Sequence, residues 1–379
     1  MKLSLLQPVV DRPGPWASVY ADASHYTEDA AKQQELAARA AADQLFELGA
    51  DEATCGAVHA ALVGPALHGE SAANRGRALF AAGGEVVLDR LLPGRPAAPI
   101  TAWGELPRLT PLLEASGNDP ACLVVYVDRT GADFELRTDR GSDDAGKVTG
   151  ENWPIHRTAT SDWSERRFQT KVENTWERNA EEIAAEAHKM FGSAGAEVML
   201  LVGDPRERRS VFDKLPEPVR TVTEESDHGG RAHGAGSELL ERDIAQLRAA
   251  HEQKQVDDVV GRFRAGAGPG GGDAPYAVTG VPALVEAARE HRIDTLLIGP
   301  DGSDTGREVW VGPNAAQLAA RSTELQYLGE VDPASSRADD ALLRAAAASG
   351  AEAIIVRDPE QVPVGGLGAL LRWAEPAQD

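Results

Sequence analysis

Aromatic and cationic side chains are concentrated between residues 151 and 191, where their types and spacing could bind nucleic acid. Tryptophan rings and guanidinium planes stack on bases, and Arg and Lys contact phosphates. A charged outer face is also what any amphipathic helix shows, so an ordinary solvated surface is the competing interpretation. If the segment binds RNA, the candidate contact residues are His156, Arg157, Trp163, Arg166, Arg167, Gln169, Lys171 and Arg178.

A loop followed by a helix must position these side chains. The residue before a proline is pushed out of the α region, so Trp153-Pro154 predicts a loop, which we extend through Arg167. Beyond it, apolar residues recur at three-, four- and seven-residue steps, which predicts a helix with one buried face. The predicted buried face comprises Phe168, Val172, Trp176, Ile183, Ala187 and Met190, and a second face comprises Arg167, Lys171, Asn174 and Arg178.

Strings that resemble nucleotide or metal motifs lack essential members. The stretch 141–148 has Val148 where a phosphate-binding loop needs Ser or Thr to hold magnesium. The glycines of 266–271 have dinucleotide-site spacing but follow a predicted helix instead of a strand, which indicates a linker. His228 and His233 have no third partner for zinc in the sequence around them. We therefore predict no catalytic residue, no cofactor and no metal.

Composition limits the classes of function. The chain has 379 residues, a formal net charge of −22 and 42% hydrophobic residues. Such an acidic chain does not bind nucleic acid non-specifically, so any RNA contact must be local. Only two cysteines occur and no apolar run is long enough to span a membrane, which predicts a cytoplasmic protein.

The order of predicted elements indicates an α/β protein of three domains, at residues 1–118, 119–267 and 268–379. A proline-rich stretch before Pro120 and the glycine-rich 266–273 mark the boundaries. Gly83-Gly84 between apolar runs predicts a β-hairpin. In the middle domain we expect strands at 122–128, 133–138, 197–202 and 219–223, and in the last domain a solvated loop at 332–339.

Four stretches resemble the archaeo-eukaryotic class-I release factor and Pelota superfamily, in particular its bacterial branch, which includes the Balon-like ribosome hibernation factors. They are the glycine-rich ending 365–373, the helix-to-strand passage 281–300, the segment 161–179 and, more weakly, 18–24. The resemblance implies an RNase H-like middle domain and a third domain like the kink-turn-binding ribosomal proteins. It also implies the ribosome as partner, through rRNA and tRNA, with a translational GTPase such as EF-Tu.

One departure from that family affects the function. Release factors of the superfamily carry Gly-Gly-Gln in a middle-domain loop, and this tripeptide occurs nowhere in the chain. Three hypotheses stay open: a non-catalytic ribosome-binding factor that acts at the A site in hibernation, stress or stalling; a peptidyl-tRNA hydrolase, release factor or nuclease using residues such as His156, Glu165 and Gln169; and a protein-interaction scaffold.

Overall fold

The computed structural model describes residues 3–23, 30–64, 75–117, 120–138, 141–149, 162–230, 238–267 and 276–373. Within these ranges, the side chains of residues 30–31, 141, 149 and 162–175 are not described. The chain folds into two compact units, of which one combines Met1–Asn118 with Val256–Asp379 and the other is Asp119–Gln255. It is a mixed α/β protein, as predicted.

The N-terminal segment of the first unit is built on an antiparallel sheet of order β3-β2-β1-β4. Gly83 and Gly84 have φ of 58° and 80°, a conformation that favours glycine, and they form the predicted hairpin turn. The strands are β1 (Trp16–Asp22), β2 (Gly76–Ala82), β3 (Glu85–Leu92) and β4 (Ile100–Gly104). The helices are α1 (Gln7–Val10), α2 (Ala30–Glu47), α3 (Glu52–Val63) and α4 (Thr110–Ser116).

The second unit contains a five-stranded mixed sheet of order β7-β6-β5-β8-β9. Its strands are β5 (Cys122–Asp128), β6 (Gly131–Thr138), β7 (Gly141–Thr149), β8 (Val198–Gly203) and β9 (Thr223–Ser226). The first three form an antiparallel meander, whereas β8 is parallel to β5 and β9 is parallel to β8. This arrangement fits the RNase H-like topology that the resemblance implies.

The central strands of this sheet are buried on both faces, as their continuous apolar sequence predicts. One face packs against α5 (Asp162–Ser193) and α6 (Pro205–Lys214), and the other against the first half of α8 (Glu238–Ala267). The strand predicted at 219–223 is wrong. A short helix, α7 (Glu217–Arg220), occupies most of it, and β9 begins at Thr223, because Pro216 and Pro218 suit the start of a helix better than a strand.

The C-terminal segment of the first unit has a four-stranded sheet of order β10-β16-β11-β15 and a small one of order β13-β12-β14. The strands are β10 (Ala277–Thr279), β11 (Ile293–Ile298), β12 (Glu308–Val311), β13 (Leu318–Ala319), β14 (Ala334–Arg337), β15 (Glu352–Ile355) and β16 (Leu367–Leu371). The helices are α9 (Val281–Arg289), α10 (Ser322–Tyr327) and α11 (Ala338–Ala348).

The N-terminal and C-terminal segments share one buried hydrophobic core, which includes Trp16 and Leu109 from the first and Leu284 and Leu342 from the second. The two segments have separate sheets but belong to one compact unit with a common core. The division of the chain into three domains therefore stays a prediction. The predicted linker at 266–273 falls mostly outside the described residues, after α8 ends at Ala267.

Charged side chains are also buried where these segments meet. Asp339 and Asp340 are 1% and 2% exposed in the first turn of α11. The Asp340 carboxylate accepts from Arg108 Nη1 and from the Leu109 backbone N–H, both at 2.8 Å. Asp339 accepts from Arg337 Nη2 at 2.9 Å. The solvated loop predicted at 332–339 is therefore wrong beyond residue 333, because Ala334–Arg337 form β14 and Asp339 is a buried helix residue held by arginines.

Candidate functional site

Helix α5 carries most of the residues that the sequence marks as RNA contacts, and it begins earlier than predicted, at Asp162. Trp163, Arg166 and Arg167 therefore lie on the helix and not on a loop. No proline or glycine occurs between Pro154 and Gly192, so nothing in the sequence breaks the helix between those positions. Glu165 in the first turn also favours a start at Asp162.

Of the predicted contact residues, the structure describes one side chain. The Arg178 side chain is exposed and forms an ion pair with Glu182 at 3.5 Å, between Nε and Oε1. His156 and Arg157 lie outside the described residues. Trp163, Arg166, Arg167, Gln169 and Lys171 are described as helical backbone only, so their role in RNA binding stays a prediction.

The inward face of α5 was predicted correctly at Ile183 and Ala187, which are buried against the sheet, and wrongly at Trp176, which is 38% exposed. Trp176 lies seven residues before Ile183 and so on the same face of the helix. Asn179 hydrogen-bonds to the carbonyl of Arg129, just past the end of β5, so Trp176 extends about one helical turn beyond the sheet. No strand among the described residues is left there to bury it.

Beyond the sheet edge, Arg129 joins α5 to α6. Its guanidinium carbon lies 4.9 Å from the centre of the Trp176 ring, a cation–π distance. Its Nε donates to Glu207 Oε1 at 2.9 Å. The Asn179 amide, which is buried, donates to the Arg129 carbonyl at 3.2 Å and fixes the backbone. Arg129 and Glu207 are not among the predicted site residues. Arg129 directly follows β5, and Glu207 lies in the first turn of the helix that follows β8, at the strand ends where α/β sites form.

Two carboxyl groups face each other at the start of α6. Asp204 caps the helix by accepting from the Arg206 N–H at 2.9 Å. Burial, and then the hydrogen bond with Asp204, raise the pKa of Glu207. The same hydrogen bond lowers the pKa of Asp204, so a proton shared by the pair resides on Glu207. Glu207 Oε2 is buried and has no donor among the described side chains and backbone groups.

Arg129, Trp176 and Glu207 border a cavity of about 230 Å³ between the end of β5, α5 and α6. Its apolar wall is made of Val127, Trp176, Ala180, Ile183 and Val211, and its polar lining includes Asp128, Arg129, Asn179, Arg206, Glu207 and Ser210. An apolar slot with a few fixed polar groups is a typical binding site for a small planar group.

The remaining motif-like strings form local structure. The stretch 141–148 is strand β7, paired with β6, and so forms no phosphate-binding loop. His228 Nδ1 lies 2.8 Å from Asp243 Oδ2, which also accepts from Ser226 Oγ at 2.5 Å. His233 lies outside the described residues. Among the side chains that the structure describes, no three His, Cys, Asp or Glu come together to hold a metal ion.

No helix in the described part of the chain is long and apolar enough to cross a membrane. Solved structures that resemble the chain include Pelota of Archaeoglobus fulgidus, at 15% identity over 81% of each chain with a TM-score of 0.36. A model of ribosome-bound archaeal Pelota and ABCE1 is 15% identical and covers 99% of this chain and 95% of that one, with a TM-score of 0.41. Since these scores are low, the family assignment rests on sequence.

An uncharacterized protein of Mycobacterium tuberculosis is 31% identical over 382 residues, which cover 99% of this chain and 97% of that one. Residues 121–269 match the model of the bacterial archaeo-eukaryotic release factor family 2. The matched stretch contains the mixed sheet, α5 and the cavity. The chain therefore belongs to family 2 of the bacterial archaeo-eukaryotic release factors, within the class-I release factor and Pelota superfamily.

Proposed function

We propose that the protein is a ribosome-binding factor that acts at the A site in hibernation, stress or stalling and does not hydrolyse peptidyl-tRNA. Membership in the release factor family carries this proposal, because the matched residues include the complete middle sheet and α5. Its partners are rRNA and tRNA, with a translational GTPase such as EF-Tu as the delivering protein. The protein then works in the cytoplasm, where ribosomes are.

The proposed RNA contact is the cationic face of α5. A net charge of −22 makes most of the surface repel RNA, so binding requires a local patch of cations. Arg167, Lys171 and Arg178 are spaced by four and seven residues, which places them on one face of the helix. Trp163 adds an aromatic ring near the start of α5, where stacking on a base contributes about 1–3 kcal/mol.

The absence of Gly-Gly-Gln is the reason to propose a non-catalytic role. Ester hydrolysis needs a water held against the peptidyl-tRNA carbonyl, and this tripeptide is the family's device for doing so. The resemblance implies that residues 161–165 correspond to that loop; they read Ser-Asp-Trp-Ser-Glu and, from Asp162 onward, begin α5. Neither Glu165 nor Gln169 has a partner in the sequence that would activate a nucleophile.

Ribosome co-sedimentation at increasing salt tests the proposal. Each phosphate contact adds about one unit to the slope of log affinity against log salt, so Arg167→Ala with Lys171→Ala should lower that slope by roughly two. Lys189→Ala is the control, because Lys189 is an exposed cation at the far end of the same helix, paired with Glu186. An unchanged slope in the double variant would move the interface away from α5.

Ribosome co-sedimentation also distinguishes the proposed function from the scaffold and hydrolase hypotheses. A protein-interaction scaffold would leave the ribosome pellet empty at every salt concentration. A hydrolase would bind ribosomes and also liberate peptide from stalled complexes, and that activity would be lost in Glu165→Ala or Gln169→Ala. Binding without peptide release is the result we expect.

A further inference from the structure

We propose that the turn at the end of α10 docks into an apolar pocket of a basic ribosomal protein. This turn comprises residues 327–331, Tyr-Leu-Gly-Glu-Val, and we call it the α10 turn. The inference rests on the proposed function and names a second contact with the ribosome, made to protein instead of RNA. It concerns the C-terminal segment of the first unit alone.

The α10 turn exposes three large apolar side chains. Tyr327 and Val331 are 92% and 89% exposed, the highest values among the large apolar side chains that the structure describes, and Leu328 is 54% exposed. Single exposed apolar residues are common, whereas a cluster of them marks an interaction site. Leu325 of the same helix is fully buried, so α10 is apolar on its inner side, which packs on β12 and β13, and again on its outer side.

The backbone that carries these side chains is fixed by hydrogen bonds. Gly329 has a φ of 93°, and its N–H donates to the Gln326 carbonyl at 3.0 Å. The Glu330 N–H donates to the Leu325 carbonyl, also at 3.0 Å, which completes a Schellman motif. A binding element with a fixed backbone loses little conformational entropy when a partner docks, so more of its contact energy appears as affinity.

The charges around the α10 turn indicate the partner. Residues 321–332 carry three carboxylates, at Glu324, Glu330 and Asp332, and one cation, Arg321, which leaves a local net charge of −2. Such a rim repels phosphates and does not suit RNA, and two copies of this chain would bring like charges together. A protein pocket that is apolar inside and surrounded by Lys and Arg fits both features. Proteins that fold on rRNA carry such cations, because they neutralise its phosphates.

Ribosome co-sedimentation of full-length variants tests this contact. Tyr327→Ser with Val331→Ser should weaken binding about tenfold or more, as expected for the loss of interface anchors. The slope of log affinity against log salt should not change, because apolar contacts release no counterions. Tyr276→Ser is the control, since Tyr276 is also an exposed tyrosine of this segment, at 51%. These variants should melt as wild type, because none removes a buried side chain.

Charge reversal distinguishes a protein partner from RNA. Glu324→Lys with Asp332→Lys should weaken ribosome binding, because lysines would then face the partner's cations. Tighter binding of this variant would assign the α10 turn to rRNA and overturn the inference. Photo-crosslinking on purified ribosomes identifies the partner directly. A benzophenone amino acid in place of Tyr327 should crosslink to a ribosomal protein, and one in place of Tyr276 should not.

The remaining outcomes separate this inference from the proposed function. If wild type sediments with ribosomes and the Tyr327/Val331 variant binds equally well, the inference fails and the proposed function stands. A wild type that does not sediment with ribosomes refutes the proposed function and this contact together. Self-association of the wild type in sedimentation velocity, lost in the same variant, would make the α10 turn a contact between copies and would also overturn the inference.

Discussion

Replacing Asp340 by asparagine should remove a pH-dependent loss of stability from the first unit. Asp340 is 2% exposed and is held by Arg108 and by the backbone of Leu109. Burial, and next the neighbouring Asp339, raise the pKa of Asp340 to about 6, against the lowering effect of Arg108. The native state therefore binds a proton at Asp340 more tightly than the unfolded chain does.

The direction and size of the change in stability follow from the difference in the pKa of Asp340 between the native and unfolded states. Because the native pKa is raised, the stabilisation is complete below about pH 4 and is lost as the pH rises to about 6. A rise from 3.8 to about 6 corresponds to roughly 3 kcal/mol lost from the free energy of unfolding. Asparagine keeps the acceptor for Leu109 but does not titrate, so the variant should lack this loss. The weaker contact of asparagine with Arg108 lowers the free energy of unfolding by the same amount at every pH, so it does not change how that free energy depends on pH.

Hydrogen exchange of the α11 amides in urea, from pH 4 to pH 7, measures the stability of this unit separately from the other. The stability of Asp340→Asn relative to wild type should rise by up to about 3 kcal/mol across that range. Asp43→Asn is the control, because that carboxylate is exposed on α2 and pairs with Arg39 of the same helix, at 4.0 Å. Parallel curves for wild type and Asp340→Asn would refute the reasoning.

Three further outcomes are expected. Gly302→Ala should destabilise the fold by about 1–3 kcal/mol in urea melts, because a Cβ would lie 2.3 Å from the Gly366 Cα. Gly94→Ala is the control and should cost much less, because a Cβ there would meet open space. Similar losses of stability in both variants would contradict this. Trp176→Ala should lower the free energy of unfolding by less than the roughly 2–5 kcal/mol expected for Ile183→Ala, because Trp176 is 38% exposed. A larger loss for Trp176→Ala than for Ile183→Ala would show that Trp176 is a core residue, as the sequence predicts. Termination complexes should release no peptide above background, and robust release would show that a hydrolytic site was missed.

Local sequence predicted those parts of the fold that depend on local physical chemistry. The short continuous apolar runs of β5 and β8 are typical of central strands, and both lie side by side in the mixed sheet. Gly83-Gly84 specified its hairpin because few other residues adopt positive φ at both positions. The β-branched residues at 219–223 favour a strand, but Pro216 and Pro218 favour the start of a helix, and α7 forms there instead.

The candidate site could be predicted only in part. The resemblance drew attention to α5, but its cavity depends on residues from three separate elements, β5, α5 and α6. Arg129 and Glu207 are ordinary surface types in the sequence, and nothing local distinguishes them from the chain's many other charged residues. Their pairing at 2.9 Å exists because parallel strands β5 and β8 end at the same edge of the sheet.

The sequence by itself determined the periodicity of α5, and with it that Trp176 and Ile183 share a face. Only the tertiary structure decided that one is exposed and the other buried, because that depends on where β5 ends beneath the helix. Likewise, Asp339 and Asp340 are typical acidic residues for a first helical turn. Their burial depends on Arg108, more than two hundred residues earlier, and no local pattern encodes a contact between residues so far apart in the chain.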